Sequence, residues 1–167
     1  MQICVRHHYD AKVDEVVGVM TDEADVRAKL RDLGQGDLTG FERTDDGGVL
    51  RLCQERTIRF PVPVDAAKLL VSEPVIRQRE VWEPADLDGI RRGRIELTCP
   101  CLPVTATSVV EIAPDGPGRC ERTITIDFRC DVPVIGGRIV AAVTSGAEQL
   151  IEADHRATEL ALRRRRR

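Results

Sequence analysis

Ile3, Val5, His7 and Tyr9 alternate with Gln2, Cys4, Arg6 and His8. This is the two-residue period of a strand with one buried face, so a first strand is expected over residues 2–9. Val13, Val16, Val17 and Met20 then recur at helical spacing, and Thr21 followed by Asp22 and Glu23 has the form of an N-cap with an acidic first turn. Two short helices are therefore expected after the strand. Asp45-Asp46-Gly47-Gly48 is a hairpin signal between strands near 38–45 and 49–60. Runs at 75–83, 90–99, 103–113 and 119–131 read as four further strands, separated by Asp86-Leu87-Asp88-Gly89, Pro100-Cys101-Leu102-Pro103 and Asp115-Gly116-Pro117-Gly118. Together they form an antiparallel meander, while residues 65–70 fit either a helical turn or an edge connection.

From Val134 to Leu162 the period changes to 3.6, which gives a rod of about 44 Å, with Pro133 suited to its first turn. At 100° per residue, Ile135, Ile139, Ala142, Val143, Gly146, Leu150, Ala153, Ala157 and Leu160 share one face, and Glu148, Glu152, His155 and Glu159 lie opposite. The expected fold class is α+β: a curved antiparallel sheet wrapped around a long C-terminal helix, with two short helices after the first strand. The expected organisation is a single domain over residues 1–162 and a flexible basic tail at 163–167.

Composition narrows the classes. With 167 residues, 42% hydrophobic and 32% charged, the chain has enough apolar surface for one core and no apolar run long enough to span a membrane. The net charge is −3, and the arginine run Arg163–Arg167 supplies much of the positive side. A body more acidic than the whole repels phosphate backbones, so no nucleic-acid partner is expected. The tail is read as solvated, without stable membrane insertion. The first residues carry charge where a signal peptide has its apolar core, which points to the cytoplasm and to reduced, mostly buried thiols among the six cysteines.

Val5-Arg6-His7-His8-Tyr9 with Asp14-Glu15-Val16, Thr21-Asp22, Glu80-Val81-Trp82, Pro100-Cys101-Leu102-Pro103 and Val132-Pro133-Val134-Ile135-Gly136-Gly137 resemble one family. It is an actinobacterial domain-of-unknown-function family of the START-like, polyketide-cyclase-like superfamily abbreviated SRPBCC. The resemblance runs from residue 2 to about 162 and implies the helix-grip fold with a pocket between helix and sheet. It brings no catalytic motif.

Strand parity suggests what lines that space. Gln54 and Arg56 share an inward face with Leu50 and Leu52; Gln78, Glu80 and Trp82 share another, with the opposite face of Val75, Arg77, Arg79 and Val81 as the alternative that a one-residue slip would turn inward; Leu97, Val110, Arg122, Ile124, Ile126 and Phe128 belong to the same concave side. Ile139, Ala142, Val143, Gly146 and Leu150 face them from the helix. Gly146 costs about 1 kcal/mol relative to alanine in a helix, so it serves either close packing or open volume. The reading favoured is non-catalytic binding of a hydrophobic or amphipathic small molecule, lipid-like or polycyclic, with an anionic head met by Arg56 or Arg122. One alternative is a polyketide cyclase or aromatase, with His7 and Glu80 as its weak catalytic candidates. The other is an interaction module without a cavity.

No metal or organic cofactor is implied. Cys99-Pro100-Cys101 lacks a second ligand pair, and Gly34, Gly36 and Gly40 miss the dinucleotide spacing. Nucleophile-elbow, zincin and Walker patterns do not occur.

Overall fold

The computed structural model describes residues 2–34, 36–57, 75–100, 104–130 and 136–167. Among the described residues seven strands follow in chain order: β1 (Gln2–Tyr9), β2 (Leu38–Asp46), β3 (Val49–Thr57), β4 (Val75–Trp82), β5 (Arg91–Cys99), β6 (Val104–Pro114) and β7 (Cys120–Cys130). Helices α1 (Val13–Thr21) and α2 (Glu23–Asp32) lie between β1 and β2, and α3 (Gly136–Arg165) ends the chain. The open interval at residues 65–70 and the helix entry at Pro133 lie outside the described residues.

All seven strands join one sheet in the order β1-β7-β6-β5-β4-β3-β2, every pairing antiparallel. The two strands on either side of α1 and α2 are thus its opposite edges. The β2–β3 turn is formed by Gly47 and Gly48 at φ 61° and 86°, a conformation that a two-residue hairpin loop demands and other residues rarely adopt. The Gly48 N–H donates to Asp45 Oδ1 at 3.0 Å. The parity expected from sequence holds, since Leu50, Leu52, Gln54, Glu80, Trp82, Ala106, Ser108, Val110, Ile112, Cys120, Arg122, Ile126 and Phe128 are all buried on the concave side.

Two details differ from the sequence reading. Asp22, not Thr21, caps α2, accepting from the Asp25 N–H at 3.1 Å, while the Thr21 hydroxyl donates to the Val17 carbonyl one turn back. The thiols are also less buried than expected: Cys120 is enclosed, with burial pushing its pKa to about 11, but Cys4 and Cys53 are exposed.

The core falls into two apolar ends. One gathers Tyr9, Val16, Val17, Leu50, Leu52, Trp82, Val110, Ile112 and Leu162; the other gathers Ile3, Ala106, Ile126, Phe128, Val140, Ala147 and Ile151. A smaller cluster of Val26, Leu30 and Leu38 ties α2 to β2.

Helix α3 is rotated relative to expectation. Val140, Ala147, Ile151, Thr158, Ala161 and Leu162 are buried, whereas Leu150 and Leu160 are 43% and 42% exposed. Leu150 therefore does not face the sheet as the hydropathy pattern predicted. Asp154 sits on the inner side instead, held by cations on the sheet and on α2, and this turns the helix by roughly one residue.

The tail is not free either. The helix runs through Arg165, Arg164 pairs with Asp32 at 3.1 Å, and Arg165 Nε donates to Asp25 at 2.7 Å. Arg166 meets the Asp10 carbonyl. The α1–α2 region is acidic at these points, so the arginines close the helix end onto its own domain.

Candidate functional site

Between the two apolar ends lies a band of polar side chains on the concave face. Glu80 is buried on β4 and accepts three hydrogen bonds, from Gln54 Nε2 at 2.7 Å, Gln78 Nε2 at 2.6 Å and Trp82 Nε1 at 2.8 Å. The adjacent strands supply these donors because Gln54 and Gln78 are opposite one another in register and Trp82 follows Glu80 on the same face. Burial lifts the Glu80 carboxyl above its ordinary range, against the bonds from Trp82 and Gln78 and the charge of Lys29.

The second group joins sheet to helices. Arg122 on β7 is almost fully buried and donates from Nη1 to Asp154 Oδ2 of α3 at 2.9 Å, while Lys29 of α2 reaches Asp154 Oδ1 at 2.7 Å. Burial alone would raise the Asp154 carboxyl, but Lys29 and Arg122 overcome it and hold the group well below the usual carboxylate range. Arg122 Nη2 also lies 3.4 Å from His7 Nδ1, and His7 Nε2 lies 3.1 Å from Glu152 Oε2. An arginine only donates, so His7 accepts at Nδ1 and donates from Nε2 to the carboxylate. His155 stacks on the His7 ring with centroids 4.2 Å apart, and Tyr9 meets His155 edge-on.

Arg56 differs from these groups. It is partly buried on β3, its pKa lowered by burial and supported only by the more distant charges of Asp154 and Glu80. Among the described residues, Lys29, Arg56 and Arg122 thus face two enclosed carboxylates, Asp154 and Glu80, and burial disfavours the charged form of Glu80. Among these side chains positive charge is in surplus.

The sequence-predicted residues separate accordingly. Trp82 and Val110 have no accessible surface and Arg122 has 1%, so they are packed and offer nothing to a guest. Arg122 in particular is spent on Asp154, which corrects its expected part in holding a ligand head. Gln54, Glu80, Ile126 and Phe128 are buried at the edges of the band, whereas Gln78, Leu97 and Ile124 face inward and remain only partly buried. Gly146 is partly buried, and a Cβ built on it would meet nothing within 4 Å, so close packing does not explain this glycine. The side chains of Ile139, Ala142 and Val143 lie outside the described residues, as does Cys101.

Neither strand parity nor helical period points to Asp154, Lys29, Tyr9 or His155 as site residues, and the period sets His155 on the solvent face. A stricter heptad reading finds the first of these: Val140, Ala147, Ile151, Asp154, Thr158 and Ala161 follow the spacing of a helix seam, with one acid in an otherwise apolar or small series.

A surface groove of about 460 Å³ runs between the end of α2 and α3, lined by Asp32, Leu33, Glu152, Ala153, Ala157 and Leu160, and so borders this band at Glu152. Another, of about 420 Å³, lies by α1 and the β2–β3 turn. Among the described residues no helix is long and apolar enough to cross a membrane.

A curved antiparallel sheet gripping a long C-terminal helix is the helix-grip fold. Residues 4–162 match the family described as protein of unknown function DUF2505, and the chain belongs to that family. No curated protein matches it. Among solved structures it is similar to the ZhuI aromatase/cyclase of Streptomyces sp. R1128, with TM-score 0.64 and 17% identity over 100% of this chain and 96% of that one. A protein from Thermus thermophilus gives TM-score 0.62 and 13% identity over 97% of both chains. A norcoclaurine synthase point mutant of Thalictrum flavum, in complex with a transition-state analogue, gives 0.56 and 16% over 100% of this chain and 96% of that one. At these identities the likeness establishes the fold.

Proposed function

We propose that the chain binds a small amphipathic molecule with an anionic head, held between α3 and the concave face of β3–β5, without turning it over. The observation that carries this reading is Arg56, an inward cation that, among the described residues, no carboxylate neutralises by direct contact. Leu97 and, from β7, Ile124 supply aliphatic wall and Gln78 a polar contact. Buried guanidinium groups recognise carboxylate or phosphate with charge-assisted hydrogen bonds, which fits a head group at Arg56 better than at Arg122. The engagement of His7 at both ring nitrogens and of Glu80 by three donors favours binding over acid–base work.

Native mass spectrometry of freshly purified protein is expected to show a retained small molecule. Protein stripped of it is expected to bind 8-anilinonaphthalene-1-sulfonate, an apolar anion, about tenfold more weakly after Arg56→Gln. No retained mass together with no probe binding would overturn the reading. The second reading, a cyclase-type enzyme, is favoured by the inward position of His7. It requires a poly-β-keto substrate to be turned over by the wild type and not by His7→Gln.

A further inference from the structure

The convex face of the sheet carries an anomaly that the interior reading leaves untouched. Three of its outward arginines are paired: Arg77 with Glu55 at 2.9 Å, Arg92 with Asp86 at 2.6 Å and Glu111 at 3.0 Å, and Arg129 with Asp127 at 3.0 Å. Arg6, Arg51, Arg79 and Arg94 are exposed, and among the described residues none of them has a carboxylate partner. Arg51 and Arg94 share one row of the register. Thr44, Arg51, Val81, Arg94, Val109, Thr125 and Cys4 stand opposite one another across all seven strands. This row contains two arginines and no acid, whereas the next row sets Arg79 among Glu42, Glu96 and Asp127, and the row on its other side sets Arg92 and Arg6 beside Glu111.

In a chain of net charge −3, two unpaired cations are thus set in a row with two valines, one of which, Val109, is 54% exposed. Strands lie about 4.8 Å apart, so Arg51 and Arg94 stand about 10 Å apart, with Val81 midway and Val109 one strand beyond. An α-helix laid across the strands matches this spacing, because its residues i and i+7 are about 10.5 Å apart on one face, with i+4 between them and i+11 beyond. An extended peptide does not match, since residues three apart in a strand point to opposite sides.

We propose that the row is a docking surface for an acidic amphipathic helix of a partner protein, carboxylates at i and i+7 meeting Arg51 and Arg94, and apolar side chains at i+4 and i+11 meeting Val81 and Val109. Charge complementarity selects the acid, and the interleaved valines select a helix with an apolar stripe over a polyphosphate chain, which has no apolar group to set against them. The surface is on the opposite face of the sheet from the ligand space, so a partner can bind whether or not that space is filled.

The test uses the full chain and a fluorescein-labelled helical peptide with glutamate at i and i+7 and leucine at i+4 and i+11. A scrambled peptide of equal composition, its acids and leucines on different faces, is the control. Anisotropy titration is expected to show binding of the patterned peptide, weakened about tenfold or more in the Arg51→Glu/Arg94→Glu variant and by raised salt. Thermal melting of the variant is expected to stay unchanged, because both side chains are exposed and unpaired. Equal binding of the scrambled peptide, equal binding by the variant, or no binding overturns the proposal. So does a single-stranded oligonucleotide that displaces the patterned peptide, which would make the row a phosphate site. Self-association of the free protein abolished by the same substitutions would assign the row to a second copy and overturn it too.

Discussion

Asp154 holds three elements together: its two oxygens take Lys29 of α2 and Arg122 of β7 while its backbone belongs to α3. Asp154→Asn preserves shape but leaves two cations facing each other, one of them enclosed. Removing one partner of a buried pair costs about 3–5 kcal/mol; the Asp154 side chain is 31% exposed, which lowers the expected loss to about 2–3 kcal/mol by urea unfolding. An unchanged midpoint would mean that helix and sheet are joined elsewhere. Gly93 is a second residue where position decides. A Cβ there would come within 2.7 Å of the Trp82 ring, which is fully buried and anchored to Glu80 through Nε1. Gly93→Ala is therefore expected to cost about 1–3 kcal/mol through overpacking, with an altered fluorescence of this single tryptophan as the direct check. Strand parity made Glu80, Gln54 and Arg122 legible as inward polar groups. It did not reveal their partners, because a period of two says which face a residue takes and nothing about what lies across the interior.

Helix α3 shows how element and context divide the work. Its existence follows from a 3.6-residue period, but its rotation follows from Asp154 and from the arginines at its end. Gly146→Ala adds a methyl group into open space within a helix and is expected to stabilise the protein by about 0.5–1 kcal/mol in thermal unfolding. Destabilisation would show that the space at Gly146 is filled. Deleting Arg163–Arg167 removes the contacts to Asp32, Asp25 and Asp10. Exposed pairs contribute little each, so a total loss of about 1–2 kcal/mol is expected at low salt, shrinking at high salt. A melting temperature indifferent to the deletion at low salt would restore the picture of a free tail.

For the molecule as a whole, the buried charges set the response to pH. Burial first, and then His7 and Arg122, hold the His155 imidazole below its ordinary value, against Glu159 and Glu152. The unfolded chain takes up that proton more readily, so this contribution to stability is complete above about pH 6.5 and is lost as pH falls below it. Asp154 behaves likewise in a lower window, its contribution present above about pH 4 and lost on further acidification towards its depressed folded value. Glu80 has the opposite sign: its pKa is raised by burial, so its ionised form costs stability that protonation returns as pH falls. Urea midpoints measured from pH 7 to about pH 5 are expected to decline less in His155→Gln than in the wild type. Equal slopes would remove His155 from the balance.

Alternation and turn chemistry are local, and the sequence by itself therefore determined the seven strands, their inward faces, the hairpin at Gly47-Gly48 and the long final helix. The tertiary structure alone decided that Arg122 is spent on a carboxylate 32 residues away, that His155 stacks against the first strand, and that the terminal arginines fold back on α1 and α2. Each of these joins residues far apart in the chain, and an ion pair has no period: its partner is chosen by whichever opposite charge the completed fold brings within reach.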